Sequence, residues 1–208
     1  MSLFFNQPGV WLGWGLRTGE WTGEEIAAKV AGAGFKWVCQ EFGDPNTQPT
    51  PDEVAALRSA CHTHGLYYGI WEVNPQNLDV LQAATPNFWG INLEHHDPIY
   101  ATLLPEFRAI HPTLPACVIT NDDFDPAPFI KANVRAVPEA YQNANPQATP
   151  AAMVQRTKGL GYTYVFPVLG VWNGYPLSSY VRAGDGYSVY IAEEMLEADW
   201  GTAKTWNT

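Results

Sequence analysis

Carboxylate side chains recur at the ends of short apolar runs along this chain of 208 residues. The residues in this pattern are Glu41, Glu72, Glu94, Asp122, Glu139 and the adjacent pair Glu193 and Glu194. Carboxyl groups that share one crevice disfavour each other's ionised form, which raises their pKa values and suits proton transfer. The alternative is that they are solvated residues at loop edges. Because these carboxylates recur at the ends of most of the apolar runs, a shared crevice with acid–base chemistry is favoured.

The segment Trp89-Gly-Ile-Asn-Leu-Glu94 contains the main candidate for a proton donor. In a strand, alternation puts Trp89 and Ile91 on one face and Asn92 and Glu94 on the other. If the apolar face packs against helices, Asn92 and Glu94 point into the crevice. Glu94 is then a candidate general acid and Asn92 its orienting partner. The competing interpretation is a structural hydrogen-bonded pair.

Two later segments supply further carboxylates. Alternation from Val134 puts Arg135 and Glu139 on one face, so Glu139 is a second catalytic candidate at the crevice. Arg135, deeper on the same face, is predicted to be structural and paired with a carboxylate. Near the C-terminus the sequence does not fix which residues of the last strand face inward, so either Glu193 or Glu194 can point into the crevice.

Aromatic residues at the ends of the apolar runs and in the loops indicate which class of ligand the crevice binds. Ring faces stack on the CH faces of sugars, and clefts that combine aromatic side chains with carboxylates are typical of saccharide sites. Packing at the rim is the alternative for each ring. The predicted substrate-binding residues are Glu41, Glu72, Trp14, Tyr141, Trp172, Glu193 and Glu194, with Trp71 and Tyr175 as further aromatic residues near run ends.

Metal and cofactor chemistry is not expected. His62 and His64 lie about 200° apart around a helix and cannot share one ion. His95-His96-Asp97 has no second histidine cluster to complete a site. The three cysteines have no metal-binding or disulfide spacing and are predicted to be buried thiols, and no phosphate-binding glycine motif or GxSxG occurs.

Charge and hydropathy exclude several partners. The formal net charge of −10 argues against binding to nucleic acid or to an anionic membrane surface. No apolar run approaches the roughly 20 residues that a membrane span needs. The segment Met1–Pro8 lacks the basic and apolar regions of a signal peptide.

These candidates need elements to position them, and the sequence predicts an alternation of strands and helices. Strands are predicted at Val10–Leu16, Trp37–Phe42, Tyr67–Val73, Phe88–Glu94, Ala116–Thr120, Val134–Glu139, Tyr164–Leu169 and Ser188–Ala192. Helices are predicted from the capping box at Thr22 to Gly32 or Gly34, and from Thr50, with Pro51 at the first position, to Gly65. Further helices are predicted at Leu78–Ala84, Ile99–Ile110 and Ala127–Ala132, from Thr149 to Gly159 or Gly161, and at Leu177–Val181 and Glu193–Trp200.

Strands that alternate with helices predict an α/β fold with a parallel sheet. Eight repeats in 208 residues allow about 26 residues each, which fits the lower size limit of a (β/α)₈ barrel. An open doubly wound sheet is disfavoured because Gly13–Gly19 lacks the GxGxxG spacing. We therefore expect one compact TIM barrel over residues 1–208, with its site at the carboxyl ends of the strands.

Asn92-x-Glu94 at the end of the fourth strand resembles (β/α)₈ glycoside hydrolases that cleave beside N-acetyl sugars. Muramidase-like and chitinase-like enzymes carry Asp-x-Glu there, and some substrate-assisted endo-N-acetylglucosaminidases carry Asn-x-Glu. The resemblance implies that Glu94 is the general acid and that Asn92 orients the N-acetyl group. The muramidase pattern also has an aspartate after the first strand, where this chain has Trp14-Gly15. Its acid on the eighth strand can correspond only to Glu193 or Glu194.

The second half is similar to glycosidase-like barrel proteins of actinobacterial phages, the minor tail proteins. The segments that carry this likeness are 138–143, 167–172 and 186–193. It implies an extracellular or virion-associated protein with tail proteins as partners. The expected function is to cleave or bind a bacterial cell-surface saccharide, without cofactor or metal. A saccharide-binding or structural tail component without turnover is the alternative, and a lyase or isomerase on the same fold ranks third.

Overall fold

Eight parallel strands close into one barrel in sequence order. The computed structural model describes residues 3–13, 21–42, 49–72, 84–92, 99–120, 125–184 and 186–208. The strands are β1 (Gly9–Leu12), β2 (Trp37–Glu41), β3 (Tyr67–Glu72), β4 (Phe88–Asn92), β5 (Ala116–Thr120), β6 (Arg135–Ala140), β7 (Val168–Gly170) and β8 (Ser188–Tyr190). Each strand pairs with the next, and β8 closes the ring on β1 by pairing Ser188 with Gly9 and Val189 with Val10. The predicted (β/α)₈ TIM-barrel fold is confirmed.

Helices connect the strands on the outside of the barrel. They are α1 (Gly23–Gly32), α2 (Pro51–Thr63), α3 (Ile99–Ile110), α4 (Ala127–Lys131), α5 (Pro150–Gly159) and α6 (Glu197–Asn207). The predicted capping box at Thr22 is present, since the Thr22 hydroxyl accepts from the N–H of Glu25, whose carboxylate accepts from the N–H of Thr22, and Thr50 forms a second box with Glu53. Such boxes satisfy two otherwise unpaired N–H groups, so they fix where a helix begins.

Several predicted boundaries were wrong. Strand β7 begins at Val168 rather than Tyr164, because Pro167 has no N–H for the ladder and Val165 makes only an isolated bridge to Ala136. The predicted helix at Leu177–Val181 is a 3₁₀ turn over Leu177–Ser179. The last helix begins at Glu197, after a 3₁₀ turn over Ala192–Glu194. Most of the predicted helix Leu78–Ala84 lies outside the described residues.

The barrel interior is filled by large aromatic rings that lie over glycines of neighbouring strands. A Cβ added to Gly9 would lie 1.9–2.4 Å from ring atoms of Trp37, and one added to Gly69 would lie 2.2–2.4 Å from the ring of Phe88. Phe5, from a 3₁₀ turn at Leu3–Asn6, contacts both rings at centroid distances of 6.2 and 5.1 Å. The interior is therefore a packed core at its amino end, as expected for a barrel of this size.

A second apolar core lies between the sheet and the helices. It includes Val10 and Val38 from the sheet, together with Ile26 and Leu57 from the helices. The predicted buried thiols are confirmed: the cysteines at positions 39, 61 and 117 are free and buried. None of the described helices has the length and apolar composition that a membrane crossing requires.

Arg135 lies at the start of β6 and is 8% exposed. Its Nη1 donates to Asn6 Oδ1 at 3.2 Å, and the guanidinium lies 5.2 Å from the Phe5 ring centroid and 4.8 Å from that of Tyr164. The structural role predicted for Arg135 is consistent with these contacts, which are an amide and two ring faces, and its pairing with a carboxylate stays a prediction.

Asp199 ties the carboxyl-terminal helix to the loop after β7. It is 2% exposed, and its carboxylate accepts from the N–H of Leu177 at 2.7 Å and from that of Leu196 at 2.9 Å. An Asp199→Ala variant removes both acceptors and leaves two N–H groups without these bonds. We expect it to lower the free energy of unfolding by about 1–3 kcal/mol. Urea denaturation of the variant measures this, and an unchanged midpoint would contradict it.

Candidate functional site

The carboxyl ends of the eight strands meet in one mouth because all strands run in parallel. Glu41 is the last residue of β2, where Trp37 and Cys39 belong to the interior core. Its Oε2 is 3.8 Å from the position that a Cβ would take on Gly13, so the half-buried carboxylate lies beside the end of β1. Glu41 is therefore at the mouth.

Glu139 lies near the end of β6, two residues after the interior residue Val137. Alternation puts it on the interior face, and its side chain is half-buried. It lines a cleft of about 400 Å³ beside the mouth, together with Tyr141, Asn145 and Arg156. A carboxylate, a ring, an amide and a guanidinium thus surround one opening.

Four rings form an aromatic cluster at the mouth: Trp71, Tyr141, Trp172 and Tyr190. Tyr141 and Trp172 meet edge to face, with centroids 4.5 Å apart and planes at 84°. Tyr190 is 5.8 Å from Trp172, 6.2 Å from Tyr141 and 6.1 Å from Trp71. Trp71 is 4% exposed, whereas the other three rings are half-buried. The cluster therefore has a buried base and three rings that keep part of their surface accessible.

A hydrogen bond holds Trp71 in place, and packing on the end of β7 positions Trp172. The Trp71 Nε1–H donates to the carbonyl of Leu12 at 3.1 Å. The Trp172 ring lies over Gly170, where an added Cβ would be 2.1 Å from a ring atom. Tyr180 donates its hydroxyl to the carbonyl of Gly170 at 2.7 Å, and burial raises the pKa of Tyr180 to about 12.

The acidic pair after β8 lies beyond the end of the strand. Strand β8 ends at Tyr190, and the chain continues as a 3₁₀ turn, so the two-residue period does not apply at Glu193 and Glu194. Glu194 Oε2 accepts from the N–H of Asn173 at 3.0 Å, a residue in the left-handed region at φ 58°. Glu194 thereby fixes the loop that carries Trp172. The Oε2 atom of Glu193 is buried.

Some predicted site residues lie outside the described part of the chain. These are Trp14, Glu94 and Asp122, together with the side chains of Asn92 and Glu72. In β3 the residue whose side chain contacts the interior is Trp71. The roles predicted for Glu94, Asn92 and Glu72 stay predictions. Among the described residues, no three histidine, cysteine, aspartate or glutamate side chains are grouped closely enough to hold a metal ion.

Three residues at the mouth were not predicted from the sequence: Tyr190, Asn145 and Arg156. Tyr190 has a signal in the sequence, because Val189 faces the helices and alternation then turns Tyr190 inward. Asn145 and Arg156 lie in the loop after β6 and on α5, and their approach to Glu139 depends on how that helix packs. Tyr175, by contrast, packs against Tyr180 at 5.4 Å and is not part of the aromatic cluster.

No known protein family and no curated protein matches the sequence. Among solved structures, the N-acetylneuraminic acid (sialic acid) synthetase of Leptospira borgpetersenii is similar, with a TM-score of 0.67 and 10% identity over 96% of this chain and 81% of that one. The YdjI aldolase of Escherichia coli K12 has a TM-score of 0.56 and 11% identity over 97% and 86% of the two chains. A D-allulose 3-epimerase of Methylomonas sp. has a TM-score of 0.55 and 10% identity over 97% and 90%. At such identities the likeness shows a shared fold: the chain has the TIM-barrel fold of these enzymes.

Proposed function

We propose that this protein is a glycoside-hydrolase-like barrel that binds a bacterial cell-surface saccharide in the mouth of the barrel. The observation that carries the proposal is the aromatic cluster with its half-buried rings Tyr141, Trp172 and Tyr190, of which Tyr141 lines the same cleft as Glu139. Active sites of TIM barrels lie at this end of the strands.

The chemistry of the mouth suits a sugar. Ring faces of Tyr and Trp offer apolar area for the CH face of a pyranose at a low cost in conformational entropy. Glu139 can accept hydrogen bonds from sugar hydroxyls, while Asn145 can both donate and accept. Two structural neighbours, the sialic acid synthetase and the allulose epimerase, bear the names of a sugar acid and a sugar, which supports a carbohydrate ligand by analogy of fold.

Hydrolysis is the reaction that we propose at this site. Glu94, as general acid, would protonate the glycosidic oxygen while the C–O bond to the anomeric carbon breaks. Glu139 or the N-acetyl group of the substrate, oriented by Asn92, would assist from the other side, and water would complete the reaction. The residues at the mouth would supply the remaining contacts, including Glu41. No cofactor or metal is part of this proposal.

The setting that we propose is a phage tail or another extracellular location, with tail proteins as partners. It follows from the resemblance of segments 138–143, 167–172 and 186–193 to phage minor tail proteins. A second candidate is a tail component that binds saccharide without cleaving it. Trp14-Gly15 favours this candidate, because the muramidase pattern has an aspartate at that place.

Removing one ring of the aromatic cluster tests the binding site. We expect Trp172→Ala and Tyr141→Ala each to weaken binding of soluble cell-wall saccharide by about tenfold or more, since stacking and burial of one ring contribute above about 1.4 kcal/mol. Isothermal titration of each variant measures this.

Tyr67→Ala is the matched control, because Tyr67 is 41% exposed and begins β3 at the opposite end of the barrel. Its affinity should equal that of wild type. The proposal fails if the Trp172 and Tyr141 variants bind as wild type does while thermal unfolding shows that both remain folded.

A further inference from the structure

One side of the barrel has two adjoining clefts, of which the first lies at the end opposite the mouth. The first, here the basic cleft, has a volume of about 630 Å³ and lies between residues 112–116 and 131–135, which lead into β5 and β6. The second, the apolar cleft, has a volume of about 570 Å³ and lies between α3 and the start of α4. They share the lining residues Arg108, Lys131 and Ala132. Both volumes are in the range of small-molecule sites, about 300–1,000 Å³.

Two arginines of the basic cleft are held rigidly. Arg108 donates from Nε to the carbonyl of Ala132 at 2.9 Å and from Nη1 to that of Leu114 at 2.6 Å. Arg135 is 8% exposed and is fixed by Asn6 and two ring faces, as described above. Side chains that are already ordered lose little further entropy when they bind an anion, so the cleft is preorganised for one.

The charges in the basic cleft all have one sign. Arg108, Lys131 and Arg135 line it, and none of the described residues that line it is acidic. This local concentration of cations contrasts with the net charge of −10 of the chain. Partial burial lowers the pKa of Arg108, which means that desolvation disfavours its charged form. An anion in the cleft would offset that cost.

The apolar cleft extends the same surface with different chemistry. Leu104, Pro105 and Pro128 contribute apolar walls. Asp125 is the acidic residue in its lining, and its Oδ1 already accepts from the N–H of Ala127 at 3.0 Å. A ligand that spans both clefts therefore meets cations at one end and hydrocarbon at the other.

We propose that this side of the barrel binds a small amphiphilic anion, in which a phosphate or carboxylate group is joined to an apolar body. The oxyanion lies in the basic cleft among Arg108, Lys131 and Arg135, and the body lies in the apolar cleft. Bidentate guanidinium donors suit such oxyanions. This site is separate from the saccharide site and does not depend on the function proposed there.

The test uses 1-naphthyl phosphate as the probe, with inorganic phosphate and 1-naphthol as its two parts. Isothermal titration at low salt should show that the complete probe binds at least ten times more tightly than either part. Lys131→Glu should weaken its binding at least tenfold, because Lys131 lines both clefts. Lys131→Gln, a milder change, should weaken it in the same direction.

Lys204→Glu is the matched control. Lys131 and Lys204 are both exposed residues in the last turn of a helix, so the two variants change net charge equally. The control should bind the probe within twofold of wild type. Four results would overturn the inference: no binding of the probe, equal weakening by both charge reversals, equally tight binding of inorganic phosphate alone, or loss of probe binding in Trp172→Ala, which would place the probe in the mouth.

Discussion

A Glu94→Gln variant is expected to cleave soluble cell-wall saccharide about 10²–10⁴-fold more slowly than wild type, the usual contribution of general acid catalysis, with its affinity kept. This prediction depends on which residues of β4 face the barrel interior, and the described part of β4 supports the expected alternation. Trp89 and Ile91 pack in the outer core, while Phe88 belongs to the interior and a Cβ on Gly90 would lie 2.8 Å from the Trp11 ring. The prediction extends this alternation by four residues, from Gly90 to Glu94.

Release of reducing ends measures the effect. Glu106→Gln is the matched control, because it makes the same change at an exposed glutamate of α3 and should leave the rate unchanged. If Glu94→Gln cleaves as fast as wild type, the acid lies elsewhere and Glu139 is the next residue to change. If wild type binds a wall fraction but releases no reducing ends, the protein is a saccharide-binding module without turnover.

A Gly9→Ala variant should destabilise the barrel by about 1–3 kcal/mol, or more if Trp37 cannot move. The added Cβ would lie within 2.4 Å of three atoms of the Trp37 ring. That ring also packs against Trp11 at 5.6 Å and Phe88 at 5.4 Å, and its Nε1–H donates to the carbonyl of Gln7 at 2.9 Å. Because these contacts hold the ring, strain rather than rearrangement is expected.

Gly32→Ala is the matched control for this substitution. Gly32 ends α1, and an added Cβ there would meet no atom within 4 Å. Alanine should therefore stabilise the protein slightly, by up to about 1 kcal/mol, through its better helix propensity. Urea denaturation compares the two variants with wild type. Equal midpoints for both would mean that the interior is looser than the packing of Trp37 indicates.

The elements that could be predicted from the sequence are those fixed by local chemistry. The helix starts at Thr22 and Thr50 follow from capping boxes that need only four consecutive residues. Strand β5 has its predicted bounds, Ala116–Thr120, because Pro115 precedes a continuous apolar run. The alternation of these elements along the chain was sufficient to predict the barrel.

Features that depend on contacts between distant segments could not be predicted. The start of α6 is set by Asp199, whose carboxylate accepts from the N–H of Leu196, and leucine is not a residue that signals a helix start. The packing of the Trp37 ring over Gly9 depends on the register between β1 and β2, which pairs these two residues. Arg156 reaches the cleft of Glu139 only through the packing of α5 on the barrel.

The most direct test of the central claim is a crystal structure of the protein soaked with a soluble cell-wall saccharide fragment. We expect a sugar ring against Trp172 or Tyr141, with a hydroxyl within hydrogen-bond distance of Glu139. A sugar bound elsewhere on the protein, or a mouth that stays empty at a concentration that saturates binding in solution, would contradict the proposed site.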